Sequence, residues 1–178
     1  MEGCSEDAKG RRFCGDARRY VERELALPPK KAVIACEGAC VKGEVARVAA
    51  NVLAYRLERD AAVRICLGDA ATADSGMSRL VRRAPEVIAI EGCPLRCGTE
   101  ILRRRMPDLQ PTVFDASKLY GYDRDAYFEI MDMPREQIEA HASAVADHVR
   151  KAAFGGETDS PCQGEDARRQ RGCCADAR

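Results

Sequence analysis

Four short apolar runs, each followed by a stretch of different period, constrain the fold of this chain more than any other feature. They are "AVIA" (32–35), "AAVRIC" (61–66), "EVIAI" (86–90) and "TVF" (112–114), and their length and composition predict strands covered on both faces. After the first, "GEVARVAANVLAYRLER" places Val45, Val48, Ala49, Val52, Leu53 and Leu57 at helical spacings. "ADSGMSRLVRRA" reads as a short helix closed by Pro85, and "PLRCGTEILRRRM" as a helix with Pro94 in its first turn, where the missing N–H costs nothing. "YFEIMDMPREQIEAHASAVADHVRKAAF" ends in a helix whose Ile138, Ala142, Val145, Val149 and Ala152 or Ala153 form one stripe. This alternation predicts an α/β protein: a three-layer, Rossmann-like fold with a mostly parallel sheet of about four strands and a long C-terminal helix. Right-handed crossovers would then set the carboxyl ends of all strands along one edge.

That edge gathers cysteines. Cys36 falls just past the first core strand, Cys66 at the end of the second and Cys93 just past the third, with Cys40 and Cys97 on the first turns of the helices that follow. Five of the chain's ten cysteines therefore meet at one rim by topology alone. The pairs "CEGAC" and "CPLRC" have three intervening residues, not the two of zinc ribbons, so convergence adds more than spacing does. A helix N-terminus favours the thiolate that metal binding or nucleophilic attack requires. Cysteines are also small apolar core residues, a role open above all to the lone Cys66.

Composition narrows the setting. The 178 residues are 46% hydrophobic, enough for a real core, and no apolar run approaches a membrane span or a signal peptide. A cytoplasmic protein is expected, and thiols in that compartment stay reduced, which leaves metal ligation, redox work or burial for the cysteines. Lys and Arg balance Asp and Glu at 29 each, so no net field draws nucleic acid or an anionic membrane, and without Trp no stacking platform for nucleic acid stands out.

The segments "CEGACVKGEVARVAANVLAYRL", "CLGDAATADSG" and "IEGCPLRCGTEILRR" together resemble the DGC-domain family of zinc-binding, cysteine-rich proteins, over roughly residues 31 to 115. In that family a cysteine pair follows the first strand, another cysteine opens a "CL" motif, and an Asp-Gly-Cys triplet leads into a proline and a further cysteine. The resemblance implies metal-site roles for Cys36, Cys40, Cys66, Cys93 and Cys97. The triplet here reads Glu91-Gly92-Cys93, which keeps the carboxylate on a longer arm.

Three readings follow from the rim. Four thiolates at about 2.3 Å would hold a Zn²⁺ ion in a closed site, with one thiol of the five to spare. Four thiolates also suit an iron-sulfur cluster. A thiol redox or sulfur-transfer enzyme would use Cys36 or Cys93 as nucleophile and its neighbour to resolve the product. Familiar phosphate chemistry fits poorly. Gly38 and Gly43 have P-loop spacing, but Glu44 replaces the lysine. The arginine of a thiol phosphatase is replaced by Lys42 after Cys36 and by Thr99 after Cys93.

Other polar residues are weaker candidates. His141 and His148 lie seven apart beside the stripe of the last helix and should edge the core. Asp69, Asp74 and Asp115 follow strands at the same rim, where they could support metal ligands or act as caps and turn formers. The tails "CSEDAKGRRFCGDAR" (4–18) and "CQGEDARRQRGCCADAR" (162–178) align with small gaps, matching Cys4 with Cys162 and Cys14 with Cys173 or Cys174. They would either fold together around a second metal or redox pair, or be flexible arginine-rich ends. The division expected is a tail over 1–29, the α/β domain over 30–154 and a second tail over 155–178.

Overall fold

The computed structural model describes residues 4–6, 12–72, 76–121, 125 and 133–155. Its centre is a four-stranded, all-parallel sheet built from β3 (Lys31–Ala35), β4 (Ala62–Arg64), β5 (Val87–Glu91) and β6 (Thr112–Asp115), in the order β4-β3-β5-β6. Ahead of it, β1 (Cys4–Glu6) and β2 (Arg12–Cys14) form an antiparallel pair that sets Cys4 opposite Cys14. The apolar runs become strands because both faces are covered, and β5 is buried along its whole length.

One face carries α2 (Val41–Val52) and α6 (Arg135–Phe154), packed on Val33, Ala35, Ile88 and Ile90. Strand residues of the other parity, Ala32, Ile34, Val63 and Ala89, face the second layer. That layer holds α1 (Gly15–Leu25), α3 (Leu67–Thr72), α4 (Met77–Arg83) and α5 (Cys97–Arg103). The alternation of period two along each strand therefore separates two cores, as a doubly wound sheet requires.

Four local features depart from the sequence reading. The segment before Pro28 supplies α1, whose Val21 is only 1% exposed and packs in the second core, an anchor its polar composition did not suggest. The residues after Cys66 form α3. Pro94 is not in a helix: Arg96 N–H bonds back to the Cys93 carbonyl at 3.2 Å, Arg96 takes a left-handed φ of 54°, and α5 begins only at Cys97. Past Val52, α2 runs into a π-helical turn over Leu53–Leu57.

Candidate functional site: thiols at the sheet's crossover

From β3 the chain goes to one edge, β4, and must then return past β3 to reach β5. The order reverses between β3 and β5, and the crevice beyond their carboxyl ends is where ligands bind in open α/β sheets. Cys36 continues β3 directly, its N–H bonded to the Ile90 carbonyl at 3.0 Å. Cys93 belongs to the loop that leaves β5, Cys97 is the first residue of α5, and Cys40 is the residue before α2.

Two glycines let these loops close on one another. A methyl group on Gly43 would lie 2.6 Å from the Gly38 carbonyl oxygen, and one on Gly92 would lie 2.8 Å from the Lys42 carbonyl carbon and oxygen. Backbone therefore touches backbone from the Cys36–Cys40 loop to the start of α2, and from there to the loop that carries Cys93. The Cys36 and Cys40 sulfurs flank Gly38, at 3.4 and 4.0 Å from where its Cβ would stand.

Cys36 is buried, Cys40 and Cys93 are half-buried, and Cys66 and Cys97 are exposed. Burial pushes the Cys36 thiol above its usual range; backbone N–H groups of Gly38 and Gly92 oppose this by bonding the sulfur, while the Glu91 carboxylate and the Cys97 thiol add to it. The crossover thus sets Cys36 and Cys40 around Gly38, with Cys97 near enough to weigh on the Cys36 thiol. Cys93 lines a cavity of about 320 Å³ on the β6 side, with Arg96, Asp115 and Lys118. Cys66 lines another, of about 240 Å³, beside β4. Among the described residues no three His, Cys, Asp or Glu side chains are grouped as a metal ion would need.

The model of the DGC domain matches residues 32–145, from β3 into α6. The chain belongs to the DGC-domain family. No curated protein and no solved structure matches it. The family's triplet acquires a physical role here. Glu91 is fully buried; its Oε1 accepts the Thr99 N–H at 2.6 Å and the Thr99 hydroxyl at 2.7 Å, and its Oε2 accepts the Gly98 N–H at 3.2 Å. The acid of the DGC triplet thus caps the helix that begins with Cys97, satisfying N–H groups that a first turn leaves open. The sequence marked this carboxylate only as the acid of the triplet on a longer arm. Its signal was an acidic residue ending an apolar strand.

The remaining candidates of this DGC domain divide similarly. Asp115 accepts from Ser117 N–H at 3.2 Å and from its hydroxyl at 2.7 Å, the role of a cap. Asp69 is buried, and its Oδ1 has no hydrogen-bond partner among the described residues. Asp74 lies outside the described residues, as do Cys162, Cys173 and Cys174. His141 stacks on Tyr120 with ring centres 4.6 Å apart, and His148 meets Phe114 edge-on at 6.4 Å, so both histidines pack along the flank of α6. Sequence reasoning missed Glu37 and Arg64, which pair at 2.8 Å beside Cys66. Its available signal was an arginine in the middle of "AAVRIC".

Proposed function

We propose that this DGC-domain chain is a cytoplasmic metal-binding protein that holds a Zn²⁺ ion through thiolates of Cys36, Cys40, Cys93 and Cys97, with Cys66 outside the set. The observation that carries this reading is the placing of Cys36: a buried sulfur at the crossover, bonded by two backbone N–H groups and neighboured by Cys40 and Cys97. Two N–H donors favour the thiolate, the form that a metal ion takes as ligand. Burial disfavours its anionic form, and a bound metal reverses that preference by supplying the missing positive charge.

The donor set fits zinc in chemistry, since four thiolates are a complete structural shell. Among the described residues these sulfurs are not grouped as a metal ion needs, so closing that shell would require the half-buried Cys40 and Cys93 and the exposed Cys97 to move toward Cys36. Fixing a short side chain costs well under about 2 kcal/mol, against about 10–16 kcal/mol released when a structural zinc binds. The loops themselves are already held by their glycine contacts and by Glu91. No helix is long and apolar enough to cross a membrane among the described residues, and the proposed partner is the metal ion, with no role for nucleic acid.

Elemental analysis of anaerobically purified chain tests the reading. About one zinc per chain, lost in Cys93→Ser, Cys97→Ser and retained in Cys66→Ser, is the expected result. Iron with visible absorption would replace zinc by a cluster on the same thiolates. Metal-free protein with one rapidly alkylated thiol would replace metal binding by thiol chemistry.

A further inference from the structure

The cavity beside β4 uses none of the four proposed ligands, and its walls are chemically divided. One side is aromatic and apolar: Tyr20, Tyr55, Ile65 and Met77. The π-helical turn presents Tyr55, 53% exposed, and π-turns inside helices recur at functional sites. Tyr20 is fixed by its hydroxyl, which donates to the Arg64 carbonyl at 3.1 Å, and burial with Tyr55 nearby pushes that hydroxyl's pKa upward.

The other side is a scaffold of charged and amide groups. Arg64, only 6% exposed, donates from Nε to Asn51 Oδ1 at 3.0 Å, from Nη2 to Glu37 Oε1 at 2.8 Å and from Nη1 to its neighbour's carbonyl. It thereby holds Asn51 and Glu37 in place while taking part of their capacity. Left over, with no hydrogen bond to a described residue, are Glu37 Oε2 and the Asn51 Nδ2 amide. Glu44 takes Nε and Nη2 of Arg47 at 2.8 and 2.7 Å, so Arg47 Nη1 is left over as well. Glu37 and Arg47 are close enough for the carboxylate to help raise the guanidinium's pKa, though Glu44 does most of that.

A carboxylate held by Arg64 and a guanidinium held by Glu44, lining one cavity together with two tyrosines, match a zwitterion with an apolar substituent. The volume of about 240 Å³ is below that of drug-sized pockets and suits one small molecule. We propose that this cavity binds a free α-amino acid with an aromatic or large apolar side chain. Its ammonium bonds Glu37 Oε2, its carboxylate bonds Arg47 Nη1 and Asn51 Nδ2, and its side chain lies against Tyr20, Tyr55 and Met77. A peptide interior offers neither charge, and a chain end offers only one. Glu37 follows Cys36 directly, so the pocket borders the thiol centre, while its lining includes none of the four proposed metal ligands.

Calorimetric titration of the full chain with L-phenylalanine, 3-phenylpropanoate and phenylalaninamide tests the assignment. Saturable binding of phenylalanine is expected, with about tenfold or greater loss for each analogue, since each removes one charged hydrogen-bonding group. Glu37→Gln, which keeps an acceptor for Arg64, should bring phenylalanine down to the affinity of phenylpropanoate and leave phenylpropanoate unchanged. Bound phenylalanine should slow iodoacetamide alkylation of Cys66, which lines the pocket, and leave Cys97 unaffected. No saturable binding at millimolar phenylalanine, equal affinity for the three compounds, or no effect of Glu37→Gln in a normally melting variant would each overturn the proposal. Zinc content in the same samples reports separately on the thiol centre.

Discussion

Removing the charge at Glu91 tests whether the family's acid acts as the cap of the Cys97 helix. In Glu91→Gln the amide oxygen can still accept from Thr99 N–H and its hydroxyl, but as neutral bonds, each weaker by about 1 kcal/mol than a bond to a carboxylate. The amide nitrogen would then face the Gly98 N–H, donor against donor, and a buried unsatisfied N–H costs about 1–3 kcal/mol. Against this stands the relief of no longer burying a charge in a fully enclosed site, a term of several kcal/mol for a poorly solvated ion. Three hydrogen bonds and the start of a helix solvate this carboxylate well, so the losses should prevail.

The expected net destabilisation is about 1–3 kcal/mol for Glu91→Gln and about 3–5 kcal/mol for Glu91→Ala, which loses every acceptor and leaves a cavity. Glu91→Asp, the residue of the family's own triplet, keeps the charge on a shorter arm and should fall below the Gln variant in cost. Urea unfolding reads these directly: with a slope near 2 kcal/mol/M, Glu91→Gln shifts the midpoint down by roughly 0.5–1.5 M. Hydrogen exchange localises the effect, since Gly98 and Thr99 amides should lose protection first. A Glu91→Gln chain as stable as the natural one, or more so, would refute the reasoning by showing that desolvation of the carboxylate exceeds its bonds.

Three further perturbations bear on the same architecture. Gly92→Ala pushes a methyl against the Lys42 backbone, which cannot swing aside as a side chain would, and should cost about 1–3 kcal/mol in urea unfolding and loosen the contact between the two thiol loops. Val21→Ala should cost about 2 kcal/mol and expose α1 to limited proteolysis; unchanged stability would detach α1 from the core. For Cys36, a thiol whose pKa is raised on folding stabilises the metal-free chain below the unfolded pKa, and that contribution disappears as pH rises through the folded value. Stability measured from neutral to alkaline pH should therefore fall more steeply for the natural chain than for Cys36→Ala, and Cys36 should alkylate more slowly than Cys97 at neutral pH.

What the sequence disclosed depended on how much of each feature was local. β3 and β5 were legible because continuous apolar runs announce strands buried on both sides, and α6 because its stripe persists over about four turns. With the two shorter runs that became β4 and β6, the parallel sheet and its cysteine-bearing rim followed by topology. Short α3 had too few residues to show a period, and α1 too little apolar surface, its burial resting mainly on Val21. The start of α5 was misplaced because Arg96 adopts a left-handed conformation that sequence patterns assign to Gly or Asn. Nothing in the order of residues could show this; the turn is imposed by docking the loop through Gly92 and by the grip of Glu91 on Gly98 and Thr99.

The same distinction explains why the rim was legible and its partition was not. Topology brings five thiols to one edge, but an edge of four strands is wide, and which thiols meet is decided by where backbones can touch. Gly43 and Gly92 permit backbone contact at the β3/β5 crossover, so the loops that carry Cys36, Cys40 and Cys93 lie against one another there. On the outer side of β3, α2 continues into a π-turn and β4 carries a buried arginine, and these hold space open beside Cys66. Glu37 stands between the two regions: its backbone belongs to the Cys36–Cys40 loop and its carboxylate to Arg64. A ligand that draws on Glu37 therefore acts on the loop that positions Cys36, and amino-acid binding and metal retention at this rim should be measurably coupled, each altering the affinity of the other by the same factor. Metal affinities that are identical with and without saturating phenylalanine would show that the Cys36–Cys40 loop transmits nothing between them.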